Sequence, residues 1–109
     1  MDVSTRMLAS GAAALCLAMP AVLDAAPEDD LARTRSLAAG CAQCHGTDGR
    51  PVAGALVPPL AGRPAAELVQ RLTALKAGSA PSTVMGQIAK GYSDEQIRRL
   101  ADSFAAVKP

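Results

Sequence analysis

The apolar and polar positions of the chain fall into blocks of different character. Residues 7–23, MLASGAAALCLAMPAVL, are apolar almost throughout and carry no helical or strand period. From Asp30, DLARTRSLAAG sets Leu31, Thr34, Leu37 and Ala38 on one side of a helix, with Asp29 or Asp30 placed to cap its start and its end expected near Gly40. Residues 46–64 are rich in glycine and proline, and neither period survives there, so they read as a long irregular loop. The stretch PAAELVQRLTALKAG then opens on Pro64 at the favoured helix start, puts Leu68, Leu72 and Leu75 on one face and stops at Gly78. A second loop, SAPSTVMGQIAKGY, follows. In the last segment Ser93 and Gln96 have the spacing of a capping box, and Ile97, Leu100, Ala101 and Phe104 recur at helical intervals. No segment alternates with period two, so the pattern predicts an all-α domain of three to five helices separated by long loops.

The first block changes the picture of the domain. Arg6 gives it a weakly positive start, the apolar run follows, and LDAAP supplies small residues for a signal peptidase. Residues 1–25 are therefore expected to be a signal peptide cleaved after Ala25, with residues 26–109 as the exported domain. Pro20 interrupts the apolar run, and the run falls short of the ~20 residues that span a bilayer, so no stable membrane insertion is expected. Cys16 follows Leu15 rather than a small residue, which argues against a lipid attachment site, and it leaves with the signal. Export places the domain in the periplasm, an oxidising compartment.

The remaining chain lies close to the size, roughly 70 to 80 residues, below which a polypeptide rarely holds itself together without a staple. It has one Phe, one Tyr and no Trp to fill a core. Eleven Lys and Arg stand against ten Asp and Glu, a formal charge of +1, which with so few aromatic rings excludes a nucleic-acid binder.

Cys41, Ala42, Gln43, Cys44 and His45 form C-x-x-C-H, the attachment signature of c-type haem. On a turn of helix, two cysteines at this spacing present their sulfurs to the two vinyl groups on one side of a porphyrin, and the next residue aims its imidazole at the iron. A thioredoxin-like dithiol would need a strand–helix unit, of which the pattern holds none. A structural zinc site needs four ligands, and past the signal the chain offers two Cys and the one His. A Cys41–Cys44 disulfide would close too small a loop to stabilise much.

His45 is the only histidine, which excludes bis-histidine ligation within the chain. Past the signal Met85 is the only methionine, since Met1, Met7 and Met19 leave with the signal, and it sits in the second loop as the expected sixth ligand. Lys76, Lys90 or an open sixth position remain the alternatives. His/Met ligation favours reduced iron and closes the site to substrate, which suits electron transfer rather than catalysis at the haem. A ligating imidazole normally donates its second N–H to a carbonyl or carboxylate. The backbone around Pro58 and Pro59 is the candidate acceptor, and Leu60, Leu68 and Ile88 are candidates to line the haem face. One covalent haem would then be the object around which the helices pack.

With a helix running into CAQCHG, a PPLAG stretch, a methionine loop and a capped last helix, residues 26–109 resemble the class I cytochromes c. Within that class, STVMGQIAKGYSDEQIRRLADSF resembles the cytochrome subunit of flavocytochrome c sulfide dehydrogenase. The resemblance implies Cys41 and Cys44 as thioether attachment points, His45 and Met85 as axial ligands, and Pro58 as the proline behind the histidine. It also implies an FAD-containing partner subunit that oxidises sulfide and passes electrons to the haem, with the flavin on that partner only, and a downstream redox protein or oxidase. Some members of that subunit family carry two haem domains, whereas this sequence has one C-x-x-C-H.

Two functions follow: an electron-transfer subunit, not catalytic by itself, of a sulfide:cytochrome c oxidoreductase, or a free periplasmic carrier between respiratory complexes. A free carrier often displays a charged ring for steering. GALVPPLAG and STVMG are uncharged, which favours the subunit.

Overall fold

A computed structural model of the chain describes residues 27–109. The expected signal peptide of residues 1–25 lies outside the described residues, as do Cys16, Met1, Met7 and Met19. Four helices follow in order: α1 (Pro27–His45), α2 (Ala65–Ala77), α3 (Met85–Lys90) and α4 (Asp94–Ala105). There is no strand among the described residues. α2 packs against both α3 and α4, and α1 crosses α4.

α1 departs from the expected boundaries at both ends. It begins at Pro27, so Asp29 and Asp30 lie in its first turn beside Glu28 rather than capping it. There they oppose the positive end of the helix dipole. Asp30 also reaches across to α4, where Arg99 Nη1 donates to its carboxylate at 2.9 Å. At the other end the helix does not stop at Gly40 but runs on to His45. A glycine in a helix interior costs about 1 kcal/mol relative to alanine. Packing offsets this here: Leu37, Ala38 and Cys41 all pack against the central cluster, which carries the buried face past Gly40, and Gly40 itself lies beneath the hydroxyl of Tyr92. Leu31, expected on that face, is exposed, because only the C-terminal half of α1 meets the core.

The other helices keep their expected limits. α2 starts after Pro64 and ends on Gly78 in the left-handed conformation, with Leu68 and Leu75 buried and Leu72 half-buried. α4 carries the full capping box, Ser93 and Gln96 each satisfying a backbone N–H of the other, and buries Ile97, Leu100, Ala101 and Phe104. Its apolar face is the centre of the molecule, where Leu68, Leu100, Ala101 and Phe104 form one cluster. The second loop contains one element the pattern did not predict, the short helix α3 beginning at Met85.

Between α1 and α2 the chain is irregular apart from a 3-10 turn at Thr47–Gly49. It is nevertheless tied down. The Gly49 carbonyl accepts from Leu60 N at 2.9 Å and Ala61 N at 3.2 Å, and Gly62 N donates to the Phe104 carbonyl at 2.9 Å. Arg50 donates to the Lys108 carbonyl at 2.5 Å. The loop is thus fastened to the end of α4 and to the segment beyond it.

Candidate haem-binding site

The last turn of α1 brings the C-x-x-C-H residues together. Cys41 faces inward, half-buried against the central cluster, and Cys44 is exposed. Burial pushes the Cys41 thiol up, and burial raises the neighbouring Tyr92 phenol as well, with a further contribution from Cys41. The two cysteines are not joined in a disulfide.

His45, the final residue of α1, is the only buried polar or charged side chain among the described residues. Its Nδ1–H donates to the Pro58 carbonyl at 2.8 Å. That bond fixes the tautomer: with the proton on Nδ1, Nε2 keeps its lone pair, the state an iron ligand requires. The proline matters because its backbone has no N–H to offer, its φ is fixed, and the Pro58–Pro59 pair stiffens the loop at the acceptor. The loop comes back to His45 because Leu60 and Ala61 are pinned to the Gly49 carbonyl.

Gly49 is a site residue that the sequence pattern did not single out. Its φ is +75°, and an added Cβ would lie 2.8 Å from Leu60 Cβ and 2.9 Å from Phe104 Cδ1. The available signal was a glycine closing a short turn just after the histidine, which without the packing partners has no particular meaning.

Of the other expected site residues, Leu60 is half-buried and packs on the central cluster, Leu68 belongs to that cluster, and Ile88 is exposed on α3. Met85 is half-buried and opens α3 rather than lying in an irregular loop. Of the two lysines considered as alternative ligands, Lys76 donates to the Asp94 carboxylate at 2.8 Å and Lys90 is exposed at the end of α3. The hydrogen bond and charge of Lys76 hold the Asp94 carboxyl below the usual carboxylate range.

The donor set fits a haem. An imidazole with a fixed tautomer follows directly on two cysteines in a helical turn, and the one thioether among the described residues opens α3. The segments flanking these residues also present apolar side chains outward: Val52 and Leu56 after the 3-10 turn, Val84 and Ile88 around Met85. A large apolar macrocycle is what such side chains accommodate. No group of three or more His, Cys, Asp or Glu side chains suited to a bare metal ion occurs among the described residues. No helix among them is long and apolar enough to cross a membrane.

The comparisons with known proteins agree with this chemistry. The cytochrome c family profile matches residues 31–102. Over 72 residues the chain is 40% identical to the cytochrome subunit of sulfide dehydrogenase from Chlorobaculum tepidum, covering 66% of this chain and 64% of that protein. It is 41% identical over 70 residues to the thiosulfate dehydrogenase electron acceptor of Stutzerimonas stutzeri, covering 62% of this chain and 32% of the relative. The protein of the same description from Thiomonas intermedia is 35% identical over 96 residues, covering 88% and 41%. The chain therefore spans less than two thirds of the length of each of these relatives. It belongs to the cytochrome c family, a membership that supports electron transfer through a covalently bound haem c.

Proposed function

We propose that this cytochrome c holds one haem through Cys41 and Cys44, with His45 and Met85 as axial ligands, and works in the periplasm as the electron-accepting subunit of a dehydrogenase that oxidises inorganic sulfide. The bound haem supplies a one-electron Fe(III)/Fe(II) couple. Cys41 and Cys44, on the last turn of α1, would hold it covalently. His45 would offer Nε2 while the Pro58 carbonyl holds the Nδ1–H at the other edge of the ring. Met85 would contribute a neutral, soft sulfur, which favours reduced iron. The observation that carries the reading is the buried His45 imidazole, oriented by the Pro58 carbonyl at the end of the helix that bears both cysteines.

The donor in this reading is an FAD-containing subunit, which takes two electrons at a time from sulfide and releases them singly. The name of the Chlorobaculum relative supports a sulfide dehydrogenase as the partner, and the FAD rests on the resemblance of residues 82–104 alone. The uncharged stretches 54–62 and 82–86 also support a partner subunit, since they suit a standing contact better than electrostatic steering. A second reading has the chain as a free acceptor or carrier, and the names of the two thiosulfate dehydrogenase electron acceptors favour it.

The test is the absorbance spectrum of the protein isolated gently from its native periplasm, before and after sulfide and, separately, thiosulfate. Flavin absorbance travelling with the haem, and haem reduction by sulfide, support the subunit. A haem-only monomer that sulfide leaves oxidised refutes it and favours the free carrier. For the ligand set, Met85→Ala in the haem-loaded protein should abolish the sulfur-to-iron charge-transfer band and lower the potential. An unchanged spectrum would remove Met85 from the site.

A further inference from the structure

α3 is only six residues long, Met85–Lys90, and an isolated helix of that length has no stability of its own. What starts it therefore decides where Met85 is held. The Val84 carbonyl accepts from Gln87 N at 3.0 Å and Ile88 N at 3.1 Å. The N–H of Gly86, which has no partner within the helix, donates to the Ser82 hydroxyl at 2.8 Å. Upstream, Ala80 N is tied to the Ala74 carbonyl at the end of α2. Between Ala80 and Val84, the hydrogen bond at Ser82 is the only one among the described residues.

The same contact also bears on which residue can stand at position 86. Gly86 is not among the residues with positive φ, so its backbone conformation does not demand glycine. Its surroundings do: a Cβ there would lie 2.9 Å from Ser82 Oγ. Glycine is thus the residue that lets the serine hydroxyl reach the backbone immediately after Met85.

We propose that Ser82 is a positioning residue for Met85: its hydroxyl, closing on the Gly86 N–H, clamps the backbone on both sides of the methionine and keeps the thioether available to the haem iron. The inference rests on the assignment of Met85 as the axial ligand. The clamp lies at the surface, where a hydrogen bond contributes a net factor of roughly two to ten in an equilibrium. That factor applies to the balance between the closed segment and one opened to an outside ligand.

The test uses the ferric, haem-loaded protein titrated with imidazole, following loss of the sulfur-to-iron charge-transfer band. Ser82→Ala should keep the band in the absence of imidazole but let imidazole displace the sulfur at a concentration roughly two- to tenfold lower. Ser82→Thr, which retains the hydroxyl, should restore the original titration. Ser79→Ala removes a hydroxyl from the same loop that bonds only the Ala74 carbonyl, and should leave the titration unchanged. Gly86→Ala should mimic Ser82→Ala, and the double variant should match either single one to within about twofold, as expected of two changes to one interaction. Wild-type behaviour of Ser82→Ala, with the band still lost in Met85→Ala, overturns the clamp while leaving the ligand assignment standing. Equal effects of Ser79→Ala and Ser82→Ala would make the serine a general loop stabiliser and also overturn it. Retention of the band in Met85→Ala overturns both.

Discussion

Gly49→Ala isolates the packing that brings the Pro58 loop back to His45, provided it is compared with Gly54→Ala. Both glycines sit between α1 and α2 with left-handed backbones, φ +75° and +83°. Both substitutions therefore carry the penalty of a side chain in that region, about 1–2 kcal/mol. Both also gain the same small benefit from a stiffer unfolded chain. They differ in what the new methyl meets. At Gly54 it meets nothing within 4 Å, whereas at Gly49 it meets Leu60 Cβ at 2.8 Å, Phe104 Cδ1 at 2.9 Å and the Ala61 nitrogen at 3.0 Å. Relief requires moving either the buried Phe104 or the strand of loop whose N–H groups hold the Gly49 carbonyl. Overpacking of this kind costs about 1–3 kcal/mol more. Gly49→Ala should accordingly be about 1–3 kcal/mol less stable than Gly54→Ala in guanidinium unfolding of the haem-loaded proteins, followed by circular dichroism with equal denaturant slopes. Equal losses would show that the loop gives way freely at Gly49 and that its contact with α4 does not hold the site.

Two further outcomes are expected. Chains made without haem, for instance Cys41→Ala/Cys44→Ala, should be largely unfolded by circular dichroism, because Ile97 and Leu100 are the only large side chains that are fully buried among the described residues; a cooperative thermal transition in that variant would contradict this. The Asp94 carboxyl, held low by Lys76, favours the folded state at neutral pH, and its contribution should vanish as pH falls through its depressed pKa in the acid range. Lys76→Met should bring the Asp94 titration, read by NMR, back up toward the ordinary carboxylate range; an unmoved titration would mean that Lys76 is not its cause.

The sequence alone carried the local chemistry from which the cofactor was expected. C-x-x-C-H points to a covalent haem because two thiols and an imidazole at that spacing suit one macrocycle, and a single histidine and a single methionine past residue 25 leave few candidate ligands. The limits of α2 and α4 were legible for a similarly local reason: a left-handed glycine stop and a reciprocal serine–glutamine cap act within a few residues of themselves. Tertiary structure decided what depends on distant neighbours. α1 passes through Gly40, where a local reading ends it, because Leu37, Ala38 and Cys41 find a common partner in the core built by α2 and α4. α3 exists because a serine hydroxyl and a valine carbonyl start it and α2 supports it, although its six residues lack any helical signature of their own. The orientation of His45 likewise required a carbonyl thirteen residues away to be returned to it, by hydrogen bonds to Gly49 that no spacing in the sequence encodes.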